Sequence, residues 1–187
     1  MFLPIEWMPE GRVRYLDQTR LPHEEVWKET ADPSVIAEAI RRLEVRGAPL
    51  IGIAAAYGLA AAAISISERD TGRFRTELER AAAELLATRP TAVNLAWAIA
   101  RCLKTIESVD EIDEIRRTLV HEARLIHEED VAGNQLMGEL GASLLPVGAR
   151  VLTHCNAGSL ATGGYGTALG GRERLHDYSI LSLISYD

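Results

Sequence analysis

The sequence predicts an α/β chain: a small β region and a run of helices over residues 1–148, then the start of a parallel-sheet unit over residues 149–187. Three observations point there. Short extended segments broken by turn signals fill residues 2–30, and apolar residues recur at helical spacing from about 32 to 145. The brief apolar run Val151-Leu152 then leads into Thr153-His154-Cys155-Asn156-Ala157-Gly158 and the small-residue stretch Ser159-Leu160-Ala161-Thr162-Gly163-Gly164. A strand opening into a glycine-rich turn is how open α/β sheets build ligand sites at strand carboxyl ends.

The elements follow in order. Pro9-Glu10-Gly11-Arg12 is a turn signal, and Arg12-Val13-Arg14-Tyr15-Leu16 alternates weakly, as a half-buried strand does. Asp32-Pro33 supplies an N-cap and a first-turn proline, opening a helix to about residue 44 with Val35, Ile36, Ile40 and Leu43 on its apolar face. Gly47 breaks it, and Pro49 starts a second helix to about residue 67. Helices are expected over about 73–87 and 94–108, separated by Arg89-Pro90-Thr91. The longest pattern covers about 111–145, with Ile112, Ile115, Leu119 and Ile126 in one stripe; Gly133, Gly138 and Gly141 mark a candidate kink or break. Pro146-Val147-Gly148 ends the helical region. A lone strand near Val151 leaves its backbone unpaired, so Ile180-Leu181-Ser182-Leu183-Ile184-Ser185-Tyr186 is the candidate second strand. Beyond Arg150 the chain is expected to be oligomeric or incompletely ordered when alone.

Composition narrows the function classes. The 187 residues are 47% hydrophobic, enough for one core and a second small unit. A net charge of −7 and the lack of any Lys/Arg run argue against a nucleic-acid partner. Two cysteines are too few for a disulfide framework and fit a reducing cytosol. Charges spread through residues 1–20 leave no room for a secretory signal, so a cytoplasmic setting is expected. Residues 47–67 carry no charge and approach membrane-spanning length, yet their alanine and glycine content drives insertion weakly. A buried core helix is expected there, not a membrane span.

Three places are able to carry chemistry. In Arg46-Gly47-Ala48-Pro49, an arginine stands at a helix start whose small residues let an oxyanion reach free N–H groups. The alternative is that Gly47 merely ends the preceding helix, with Arg46 solvated in its last turn. Arg89 sits in an interhelical loop, where binding residues often lie, although a surface arginine at a helix C-terminus is the default. Cys155, at a strand end beside His154 and a glycine-rich turn, is either a reactive thiol or an inert small filler. Cys102 lies inside an apolar helix and reads as filler. His121 and His127 are six residues apart on different helix faces, so no metal site is expected, and nothing asks for a nucleotide or other cofactor.

Four segments occur together: Asp17-Gln18-Thr19-Arg20-Leu21-Pro22, Arg46-Gly47-Ala48-Pro49-Leu50-Ile51-Gly52, Arg89-Pro90-Thr91-Ala92-Val93-Asn94-Leu95 and Thr153-His154-Cys155-Asn156-Ala157-Gly158. In this order they resemble the methylthioribose 1-phosphate isomerases, the methionine-salvage members of the family that includes the regulatory subunits of the translation initiation exchange factor. The resemblance covers about residues 10–170 and is specific through its four motifs. It implies a helical N-terminal domain with a β-hairpin region, a Rossmann-like C-terminal domain and a homodimer. It also implies that Arg46, Gly47, Ala48 and Arg89 contact a phosphosugar and that Cys155 is the catalytic thiol. The implied reaction converts 5-methylthioribose 1-phosphate into 5-methylthioribulose 1-phosphate.

The chain departs from that family from about residue 171. Gly171-Arg172-Glu173-Arg174-Leu175-His176-Asp177 and the tail after it do not match, and family chains are about twice as long. The family's catalytic aspartate belongs to the part this sequence does not match, and neither Asp177 nor Asp187 has its context. The expectation is an incomplete isomerase, or one completed by a second chain. The alternatives are a non-catalytic, initiation-factor-like regulatory subunit and an inactive remnant.

Overall fold

The computed structural model describes residues 2–146, 149–170 and the backbone of 179–183. Strands β1 (Ile5–Met8), β2 (Arg12–Leu16) and β3 (Trp27–Thr30) form an antiparallel sheet in the order β1-β2-β3. Ile5 pairs with Tyr15 and Leu16 with Trp27, and alternation turns Ile5, Val13 and Tyr15 into the core. The predicted turn is a short 3₁₀ segment, Pro9–Gly11.

Helix α1 (Pro33–Arg41) starts where the sequence reads it: the Asp32 side chain accepts the Ser34 amide at 2.8 Å, with Pro33 in the first turn. It ends three residues before the expected 44. Leu43 takes a left-handed φ of 60°, and the Val45 amide turns back to the Ala39 carbonyl at 3.3 Å. Arg46 therefore lies in a connecting loop and not in the last turn of a helix.

Helix α2 (Ala48–Ser65) is the centre of the core. Every residue from 50 to 63 is buried, and the helix packs against α1, α3 (Thr71–Leu86), α4 (Val93–Thr105) and α5 (Ile112–Leu144). It has the length and composition of a membrane span, but helices occupy the faces that lipid would cover. An alanine surface lets neighbouring axes approach closely, which suits a helix buried on all sides. At its C-terminal end Arg116 of α5 donates to the Ala63 and Ile66 carbonyls at 3.0 and 2.7 Å, satisfying acceptors that a helix end leaves open.

Helix α3 is capped by Asp70, whose carboxylate accepts the Arg73 amide at 2.9 Å. Helix α5 runs unbroken for 33 residues, about 50 Å at the usual rise per residue. The expected break at Gly133, Gly138 and Gly141 does not occur. Each glycine costs a helix only about 1 kcal/mol, too little to interrupt one anchored by Ile115, Leu119, Ala123 and Ile126 in the core. Its C-terminal part leaves Leu136, Met137, Leu140 and Leu144 exposed.

After α5, strands β4 (Arg150–His154) and β5 (Ser179–Leu183) pair in parallel, Val151 opposite Ile180 and Thr153 opposite Ser182. The tail thus supplies the second strand that the apolar run near Val151 required. The rest of the divergent tail from about 171, including Asp177 and Asp187, lies outside the described residues, as do Val147 and Gly148.

Phe74 of α3 is fully buried, with the Arg116 guanidinium over its ring at 5.5 Å. Phe74→Ala should cost about 3–5 kcal/mol through lost burial and the cavity left behind. Val93→Ala, at a position 78% exposed, should stay within about 0.5 kcal/mol. Urea unfolding followed by far-UV circular dichroism measures both.

Candidate functional site

The loop after β4 and the loop before α2 meet around one cavity of about 240 Å³, lined by Gln18, Arg46, Cys155, Ser159, Leu160 and Leu169 with neighbouring loop residues. Two of the residues singled out in the sequence, Arg46 and Cys155, therefore line one space. Gly47 and Ala48 begin α2 beside it.

The contact that joins the loops is backbone on backbone. Gly47 has φ 111°, a conformation that favours glycine, and a Cβ there would lie 2.5 Å from both the Ala161 Cα and the Ala161 carbonyl oxygen. No side chain caps the start of α2, so its first-turn amides and the positive end of its dipole remain available next to Arg46. Arg46 is exposed and reaches only the Gln18 side chain, Nε to Oε1 at 3.4 Å; among the described residues no carboxylate pairs with it. A cation left without a counter-charge beside open amides is able to take an anion.

Gln18 is the cavity residue that reading the motif by residue type did not isolate. It is 3% exposed, its backbone amide donates to the Glu44 carbonyl at 2.9 Å, and its Nε2 donates to the Leu160 carbonyl at 2.7 Å. It therefore ties the β region, the loop before α2 and the cysteine loop together. Below it lies a charge cluster. Lys28 Nζ bridges Asp17 Oδ2 and Glu44 Oε2, both at 2.8 Å, and Tyr15 donates to Glu44 at 3.1 Å. Burial works to raise the Asp17 carboxyl, but hydrogen bonds from Lys28 and Thr19 and the Lys28 charge outweigh it and hold Asp17 below its ordinary value. Burial, then the Glu44 charge, pushes the Tyr15 hydroxyl well up, so it remains a donor.

Cys155 is exposed and takes φ 65°, the left-handed region that non-glycine residues rarely occupy. Cys102 is buried in α4, and burial pushes its thiol up to about 12, which suits an inert filler. Behind Cys155 the loop folds on itself: the Ala157 carbonyl accepts from the Leu169 amide at 3.3 Å, and the fully buried Thr162 donates to the Tyr165 carbonyl at 2.9 Å. Arg89 is not among the residues that line the cavity. It is exposed in the loop between α3 and α4, where its carbonyl accepts the Ala92 amide at 3.0 Å.

Two outcomes test this arrangement. Gly47→Ala drives a methyl into Ala161 and strains the backbone, so it should destabilise the chain by about 2 kcal/mol or more and change the iodoacetamide reactivity of Cys155; thermal unfolding and alkylation rate read these. Because the Asp17 carboxyl is depressed in the fold, its contribution is present above the unfolded value near 3.8 and is lost as pH falls through the lower folded value. Asp17→Asn should flatten the acid limb of stability below about pH 4, read from urea midpoints across pH.

The sequence profile of the Initiation factor 2 subunit family matches residues 44–177. Over 168 residues, 89% of the chain, the sequence is 51% identical to a methylthioribose-1-phosphate isomerase of Pelotomaculum thermopropionicum, of which this covers 46%. The fold matches a 5-methylthioribose 1-phosphate isomerase of Pyrococcus horikoshii at TM-score 0.88 and 33% identity, covering 98% of this chain and 60% of that one. It also matches the delta subunit of translation initiation factor eIF-2B from A. fulgidus at TM-score 0.86 and 38% identity, covering 97% and 54%. The chain spans about half the length of the curated relatives it matches. With its profile match running through α2–α5 and the cysteine loop, this chain belongs to the Initiation factor 2 subunit family.

Proposed function

We propose that the chain carries the phosphate-gripping and thiol part of an aldose–ketose isomerase site, acting on 5-methylthioribose 1-phosphate to give 5-methylthioribulose 1-phosphate. The observation that carries this reading is the shared cavity of Arg46 and Cys155 at an uncapped helix start. The names of the relatives support the substrate, and the missing counter-charge of Arg46 among the described residues supports the phosphate.

In this reading Arg46 and the Gly47–Ala48 amides hold the phosphate, which fixes the sugar's first carbons beside Cys155. The reaction opens the ring and moves a hydrogen from C2 to C1, with no net gain or loss of electrons. It needs an acid/base pair within hydrogen-bond reach, and Cys155 Sγ is one member. Among the described residues that line the cavity none is a carboxylate, so the second member, a carboxylate, comes from elsewhere in the protein. Arg89 is assigned a phosphosugar contact on the family resemblance alone; its loop would have to bend towards the cavity. Residues 1–148 form the helical domain in this proposal, and β4 and β5 open a Rossmann-like sheet completed by further strands or a second chain. The working form is a homodimer in the cytoplasm, with a small-molecule substrate and no nucleic-acid or membrane partner.

The second reading is a non-catalytic regulatory subunit that binds a sugar phosphate, favoured by the likeness to the initiation-factor subunit. Inorganic phosphate and the sugar phosphate should both slow alkylation of Cys155 by iodoacetamide. Arg46→Ala should raise the half-protecting concentration about tenfold, the loss of one charge-assisted contact. An unprotected wild-type thiol overturns the phosphate site. In a complete protein bearing this segment, Cys155→Ser should lower kcat by about a hundredfold or more if the thiol moves a proton; protection without any turnover favours the regulatory subunit.

A further inference from the structure

We propose that His127 and Asp130 of α5 are positioning residues for the cavity, holding the cysteine loop at both amide groups of Gly163. The proposal rests on the reading above for what the loop grips. The Gly163 amide donates to Asp130 Oδ2 at 2.6 Å, and the Gly163 carbonyl lies 2.5 Å from His127 Nε2. Residues three apart on a helix share a face, so one turn of α5 addresses both sides of one glycine. A carbonyl only accepts, so the ring carries its proton on Nε2 and accepts at Nδ1 from the Tyr57 hydroxyl at 2.7 Å. Burial pushes the Tyr57 hydroxyl far above its ordinary value, which keeps it a donor. Tyr57 is itself held in α2, 3% exposed and packed at a tilt against Trp7, ring centroids 5.5 Å apart.

The approach is too close for any other residue. A Cβ at Gly163 would lie 2.5 Å from His127 Cδ2 and 3.0 Å from Asp130 Oδ2. Two residues earlier, Ala161 rests on Gly47. Before it, the Leu160 carbonyl accepts from Gln18. The wall of the cavity is thus tied to the β region, to α2 and to α5 at three successive points. Without the third tie, the segment that carries Leu160 and Ala161 is free to swing from α5 and to change the separation of Arg46 and Cys155. Burial keeps the Asp130 carboxyl above its ordinary value, opposed by the Gly163 hydrogen bond, so the group makes a local contact at some expense to itself. That is the mark of a residue placed for geometry.

Backbone hydrogen exchange and phosphate protection of Cys155 in the full chain test the proposal. His127→Ala and Asp130→Ala should each speed exchange across 159–166 about tenfold while α1–α4 stay within about twofold, because the contact is local. Each should also raise the half-protecting concentration of inorganic phosphate about tenfold, the effect of a loosened site. His127→Gln keeps an amide donor for the Gly163 carbonyl and should recover most of both. Asp130→Asn, which keeps an acceptor oxygen for the Gly163 amide, should leave exchange at 159–166 within about twofold of wild type, and a roughly tenfold rise in it would count against the proposal. The proposal falls if exchange at 159–166 is unchanged, if it rises equally in all helices, or if His127→Gln behaves like His127→Ala. A wild-type thiol that phosphate never protects would overturn the phosphate reading, and exchange at 159–166 would still decide the role of His127 and Asp130.

Discussion

The contact of Gly47 with Ala161 is the constraint on which the site depends. Two backbones far apart in the sequence touch there because one of them has no side chain, at a φ of 111° that favours glycine. Everything in the cavity follows from the touch. It brings the end of the loop before α2, with Arg46, against the loop after β4, with Cys155. A hydrogen bond alone would allow sliding by an ångström or so. Steric contact of backbone atoms on one side and the Gln18 amide on the other narrow the range, and the α5 contacts to Gly163 complete it.

The alanine-built helix makes that contact possible at a distance. Because α2 carries small side chains, α4 and α5 pack close to its axis, and α5 comes near enough for His127 to reach both Tyr57 and Gly163. A leucine-rich α2 would keep α5 further away and leave the cysteine loop beyond its reach. The uncharged stretch that resembles a membrane span is thus the spacer that sets the dimensions of the site. Its N-terminal turn, where Ala48 is exposed and burial begins only at Leu50, also places the positive end of the helix dipole beside the cavity.

The helices were legible because caps and periodicity are local. Asp32-Pro33 announces α1, and the apolar stripe of α5 is spaced at three and four, whereas the Asp70 cap starts α3 two residues before the expected 73. Gly133 and Gly141 misled in the same local terms: they are break signals in isolation, yet each stands in a long helix with open space around it. Arg46 and Cys155 were legible as candidates, but nothing in their spacing says that they share a cavity. Gln18, His127 and Asp130 act through backbone groups far away in the sequence. A lone histidine on a helix leaves no pattern for that, and His127 was read only against metal ligation. Arg89 shows the converse, since its motif is clear while the residue is exposed and not among those that line the cavity.

Cys155 bears on whether this architecture binds or also reacts. A left-handed conformation costs a non-glycine residue about 1–2 kcal/mol, and glycine or asparagine at that turn would lower the cost. A loop whose whole task is to offer amides to an anion gains nothing from a strained thiol, because its N–H groups do the work whatever the side chain. The strain is reasonable where the side chain itself must stand at a given place above the turn. Here Cys155 is exposed and lines a cavity that Arg46 also lines, and among the described residues no carboxylate pairs with Arg46. Under the proposed function, a sulfur held there is placed against a group that Arg46 also contacts, and the strain at Cys155 then has a use that a purely regulatory loop would not give it.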